Sequence, residues 1–298
     1  MAPFVSYCES TSIFTLDATV LNSKSDFNSF FLNFDIFTCI NHKTKFMKKI
    51  LLLLTLVSSF TSAQVYQTFS MHFVRVDGDL QAFEKVQSMY MQKVAQNAVE
   101  KGDIAFWAFL RRVTMDNIDD EKRKNYLFVQ SNKNITAMLS DKNSWWENAS
   151  KVLSKEEQEI VAALEKSYTW VEDSRHIFVD EVSIAKGLGS FIQFNFARPK
   201  NLNGFISENQ TLWKNFFTAN MDKMNMVNWG VGRKIAPLSA EWSTVVTWDM
   251  FESLEDLMKY RVGDGPTPPS SKSKMGVYNP DGFRNQVIFQ PLKFAVKQ

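Results

Sequence analysis

Two repeated patterns hold most of the residues in this chain that could do chemistry. Ser70 and His72 alternate with Phe69, Met71 and Phe73; farther on, Gln193 and Asn195 alternate with Ile192, Phe194 and Phe196. Alternate positions of a strand share one face. If a second layer encloses that polar face, it becomes a pocket wall that can hydrogen-bond a ligand. Left open, it is an ordinary solvated sheet face. The second pattern is Trp107 with Arg111 and Trp229 with Arg233. Each pair lies on one strand face, where Trp and Arg together could hold a planar anion by stacking and charge. The plainer reading is a core Trp with an Arg closing the sheet edge.

After residue 63 the histidines are His72 and His176. A metal site built on them would need a third ligand such as Asp180 or Glu181. No ligand spacing supports one, so no metal is expected. His72 is the one candidate for catalytic proton transfer. Gly187-Leu188-Gly189 lacks the later glycine that dinucleotide binding needs, and there is no nucleophile elbow. The cysteines, Cys8 and Cys39, both precede residue 64, so the remainder has no thiol chemistry.

The elements that must position these residues recur. Laid against Phe205 to Ile235 without a gap, Phe83 to Val113 matches at Phe83/Phe205, Lys101/Lys223, Trp107/Trp229 and Arg111/Arg233. The order of elements around the two stretches repeats as well, which argues for an internal duplication. In the first copy the patterns predict a strand over Val65 to Val76, then a turn at Asp77-Gly78-Asp79 and a helix from Leu80 to Gly102. Strands follow at Ile104 to Val113 and Tyr126 to Ser131, then a helix opened by the capping box Ser154/Glu157, then a strand over His176 to Ala185. The second copy predicts a strand through Ile192 to Ala197 and a helix over Phe205 to Met221. Strands at Met226 to Ile235 and at Trp242 to Trp248 come next, with a short helix capped by Ser253. The last strand runs from Gln286 to Val296, and its Pro291 marks an edge or a bulge. Gly263 to Gly276, rich in Pro and Ser, is a long loop.

Strand, helix, strand, strand, helix, strand is the split β-α-β order of a ferredoxin-like unit, with helices on one face of an antiparallel sheet. The expected fold is therefore α+β, with two tandem units at 64–186 and 187–298 whose bare sheet faces close into a pseudo-dimeric barrel. This order resembles the dimeric α/β-barrel superfamily, which includes antibiotic-biosynthesis-type monooxygenases, stress-responsive barrel proteins and haem-handling relatives. The resemblance implies a ligand site between the sheets. That would put Ser70, His72, Gln193 and Asn195 on the enclosed face, with Trp107, Trp229 and Trp248 as walls and Arg111 and Arg233 as polar contacts. It implies no obligatory cofactor, and it leaves haem ligation by His72 or His176 as an option.

The start of the chain differs in composition. Residues 1–46 are rich in Phe, Asn, Ser and Thr without helical or strand periodicity, and are expected to be an over-extended start. Met47-Lys48-Lys49, the apolar run Ile50 to Val57 and the small residues to Ala63 follow the plan of a secretory signal at 47–63. The run is far shorter than the about 20 residues of a membrane span. Past it, 29 basic residues face 28 acidic ones (34 less 5, and 32 less 4), a balance that points to neither nucleic acid nor an anionic membrane. The leading expectation is an exported protein, periplasmic or extracellular and bacterial in type, that binds a small, partly apolar ligand between its two units. The alternatives are a cofactor-independent monooxygenase or isomerase and a non-catalytic module whose Pro/Ser-rich loop and Trp145-Trp146 meet a protein partner.

Overall fold

The computed structural model describes residues 67–114, 123–240 and 243–297. The expected leader at 47–63 and the segment 1–46 lie outside them. The described residues form a mixed α/β fold around a closed antiparallel barrel of eight strands. The strands are β1 (Thr68–Gly78), β2 (Phe106–Arg112), β3 (Tyr126–Asn132), β4 (Tyr168–Ala185), β5 (Phe191–Ala197), β6 (Met226–Ala236), β7 (Val245–Phe251) and β8 (Phe283–Val296). Around the barrel the order is β4-β1-β3-β2-β8-β5-β7-β6, and β6 closes onto β4. The second four strands follow the order of the first four, each number raised by four.

Four longer helices lie outside the strands: α1 (residues 80–101), α2 (Lys155–Leu164), α3 (residues 202–220) and α4 (Leu254–Arg261). Three of the four carry the caps the sequence announced, and α3 is capped by Asn201, ahead of its expected start at Phe205. Asp79 caps α1, Gly102 ends it in the left-handed conformation, Ser154 and Glu157 form the capping box of α2, and Ser253 caps α4. Both α1 and α3 contain a π-helical turn, at Val86–Met91 and Asn209–Trp213. These positions coincide in the gapless match of the two stretches. Pro291 sits where the β2–β8 register slips between Phe109 and Leu110, so it marks a bulge and not an edge.

Three apolar clusters hold the molecule together. One gathers Phe83, Val86, Val94, Trp107, Phe109 and Tyr126 under α1; a second gathers Phe205, Phe217, Met221, Trp229 and Val231 under α3. The third fills the barrel with Met71, Leu110, Leu127, Phe178, Phe194, Val246 and Phe289, drawn from seven of the strands. This third cluster reverses the faces expected from sequence. Phe69, Met71 and Phe73, like Ile192, Phe194 and Phe196, point into the barrel, whereas Gln193, Asn195, Trp107 and Trp229 face the helices. Where the two sets of strands close on each other, their more apolar stripes pack together inside the barrel. The helix side is enclosed too, but its polar groups can pair with one another.

Candidate functional site

A cavity of about 820 Å³ lies between the outer face of β5, β7 and β8 and the cover formed by α3, α4 and the segment 275–283. Gln193 and Asn195 of β5, Thr247 and Asp249 of β7 and Gln286 of β8 make its polar floor. Trp229 of β6 and Phe205, Trp213 and Phe217 of α3 make its apolar wall. Trp229 stacks on Phe217 at 4.6 Å between centroids. Asn209 and Trp213 come from the π-helical turn of α3, a distortion that widens a helix locally and often accompanies sites.

Asp249 is the centre of the floor. Its Oδ2 accepts from Asn195 Nδ2 at 2.7 Å and, more distantly, from Gln193 Nε2 at 3.5 Å. Asn195 Nδ2 also reaches Thr247 Oγ1 at 3.0 Å, while its Oδ1 accepts from Gln193 Nε2 and Gln286 Nε2, each at 2.8 Å. Arg261 Nε donates to Gln193 Oε1 at 2.5 Å. Burial pushes the Asp249 carboxyl up to about 6, although the amides of Asn195 and Gln193 pull the other way. Tyr260, also on the wall, is pushed well above its ordinary range by burial and by Asp249. A buried carboxyl that titrates near neutrality beside an apolar wall can exchange a proton with a bound molecule.

Of the residues singled out in the sequence, this cavity brings together Gln193, Asn195 and Trp229. Trp248 is elsewhere, inside the barrel, with its Nε1 donating to Asn228 Oδ1 at 2.9 Å. Trp107 is buried under α1 against Trp145, and Arg111 pairs with Glu84 at 3.3 Å and Gln290 at 3.1 Å. Arg233 pairs with Glu181 at 2.5 Å. His72 is part-exposed, its Nε2 2.7 Å from Asp173 Oδ2. Both arginines are thus held in ion pairs, and β2 and β6 are paired on both sides, so neither arginine closes a sheet edge.

Sequence reasoning missed Asp249, Thr247, Gln286 and Arg261. The predicted strand ended at Trp248, and β7 runs on to Phe251. An acid inside Val245–Phe251, otherwise apolar but for Thr247, was the signal available. The two histidines do lie on paired strands, but Met71 is the residue opposite His176, so His72 and His176 point to opposite faces and cannot share a metal. No cluster of three metal-ligating side chains occurs among the described residues. Neither histidine lines this cavity, so its residues do not fit a histidine-held haem.

No family model matches the chain, and no curated protein sequence does. Solved structures share parts of its course. A protein assigned as a monooxygenase from Fusobacterium nucleatum subsp. nucleatum aligns at a TM-score of 0.49 and 10% identity, over 78% of this chain and 96% of its own. One so assigned from Lactobacillus acidophilus aligns at 0.46 and 11%, over 78% and 96%. A mutant chlorite dismutase from Candidatus Nitrospira defluvii aligns at 0.44 and 9%, over 78% and 92%.

Proposed function

We propose that this protein binds a small, partly apolar molecule in the cavity over Asp249 and exchanges a proton with its polar end. The observation that carries the reading is the buried Asp249 carboxyl, ringed by amides on a polar floor and facing an aromatic wall. The hydrogen bonds that Asp249 accepts fall on Oδ2, which leaves Oδ1 to meet the ligand. Trp229 and Phe217 hold the ligand's apolar body, and Arg261 fixes Gln193. A second reading, catalysis of the isomerase or cofactor-independent oxygenase type, gains support from the same carboxyl, because a group titrating near 6 suits general acid–base work. In that reading Asp249 takes the role first considered for His72.

We further read the two sets of four strands as tandem ferredoxin-like units at 64–186 and 187–298. The repeated strand order and the coincident π-helical turns support a duplication. The basic start, short apolar run and small residues over 47–63 support a leader and export, with residues 64–298 as the working protein. No helix among the described residues is long and apolar enough to cross a membrane.

Native mass spectrometry of the purified protein tests the site. The expected result is a co-purifying small mass in the parent that is lost in Trp229→Ala and weakened in Asn195→Ala. A bare polypeptide that also shows no thermal shift with a panel of phenols and aromatic acids overturns the reading.

A further inference from the structure

A second cavity, of about 310 Å³, opens at the end of the barrel lumen near the start of β1. That volume is at the small end of ligand sites. Its walls are aromatic: Phe69, Phe106, Phe194, Trp248 and Phe294 all line it. Phe69 and Trp248 meet edge to face at 5.5 Å, and Phe106 and Phe294 approach to 5.9 Å. The enclosure is built into β6. A Cβ on Gly230 would lie 2.1 Å from the Trp248 ring, and one on Gly232 would lie 2.6 Å from the Phe69 ring. Glycine is therefore required at both positions for these rings to lie across the strand. Trp248 is also pinned by its hydrogen bond to Asn228.

Asp180 is the charged residue lining this aromatic space. Its Oδ2 accepts from Ser183 Oγ at 2.7 Å. Its Oδ1 meets no side-chain donor among the described residues, and the Val182 backbone N–H is the other group that favours the charged form. A part-buried carboxylate whose donors are a neutral hydroxyl and a backbone amide still gains from a cationic one. Aromatic faces around a single carboxylate also attract an organic cation through their quadrupoles. Burial, with the like charge of Glu181, holds the Asp180 carboxyl above its ordinary range against the hydrogen bonds of Ser183 and the Val182 amide.

We propose that this end of the barrel binds a small aralkyl ammonium ion, its ammonium on the Asp180 carboxylate and its ring against Phe69 and Trp248. The site is separate from the cavity over Asp249, which lies on the outer face of the barrel wall and shares none of its lining residues. Isothermal titration of the full chain with 2-phenylethylammonium, set beside the neutral 2-phenylethanol, tests it. The ammonium is expected to bind roughly tenfold or more tighter than the alcohol, the scale of one charge-assisted hydrogen bond. Asp180→Asn is expected to erase that preference while still taking up the alcohol. Equal affinities of the two probes in the parent protein, or no binding of the ammonium, overturn the proposal whether or not the variant folds. An ammonium preference that survives in Asp180→Asn overturns it as well.

Discussion

Gln130 and Asp249 hold matching places. Gln130 lies opposite Trp107 on the next strand, and Asp249 lies opposite Trp229. At Gln130 the polar capacity is used up: its amide nitrogen donates to Asn132 and Asn143, and its oxygen accepts from Trp145 Nε1. Trp145 lies against Trp107 and covers that spot. Over Asp249 there is a cavity instead. The raised Asp249 carboxyl has a measurable consequence for stability. Folded, it holds its proton up to about 6; unfolded, it releases it near the ordinary value of 3.8. The folded state therefore binds the extra proton in that window, and stability falls as pH rises through it. Above it the full cost, about 3 kcal/mol, is present. Denaturant unfolding of Asp249→Asn should show the variant gaining on the parent from pH 4 to 6 by up to that amount, and holding the gain at pH 7. A constant difference across the window would contradict the assignment.

At the scale of elements, β6 carries its glycines for the sake of rings on other strands. Gly230→Ala should force Trp248 out of place, with a loss of about 1–3 kcal/mol as in other overpacked cores, read as a lower midpoint in urea. Beneath α1, Trp145→Ala should cost about 3–5 kcal/mol and leave a cavity over Gln130 resembling the one over Asp249. A crystal structure of that variant would reveal it. Trp146, by contrast, is 42% exposed, and its removal should leave the unfolding midpoint nearly unchanged.

Across the whole molecule, barrel closure is shared. β2 pairs with β8, and β4 pairs with β6, so each set of four strands covers the other's edges. Residues 64–186 alone would expose both edges and the apolar lumen face. We expect that fragment to self-associate or aggregate, and a well-folded monomer by size-exclusion chromatography would argue against shared closure. A further cavity, where His176, Lys124 and Lys234 meet Phe73 and Phe289, supplies an opposing pH effect. Burial, with Lys234 and Lys124, holds His176 down at about 4, below its ordinary 6.5. The unfolded chain takes up that proton first, so stability is lost as pH falls from 6.5 toward 4. His176→Asn should remove this loss, the reverse in sign of Asp249→Asn over nearly the same range.

What was legible in the sequence was local. Asp79, Gly102, Ser154 and Ser253 placed helix ends because caps act within a turn, and alternation placed Phe69 with Met71 and Gln193 with Asn195 because strand period is intrinsic to the backbone. Trp107 and Trp229 were recognisable as counterparts by spacing alone. Which side of each strand faced the lumen was not legible. Both sides are enclosed here, so polarity by itself does not choose between them. The closure of β6 on β4 and of β2 on β8 made that choice, by packing the more apolar stripes of both sets of strands against one another. The pairing of β5 with β7 brought Asp249, Asn195 and Gln193 together beside Arg261 of α4, and barrel closure placed Asp180 among the rings of the lumen. Caps and periods are properties of a few neighbouring residues, whereas a site is a meeting of distant ones, which the sequence order does not contain.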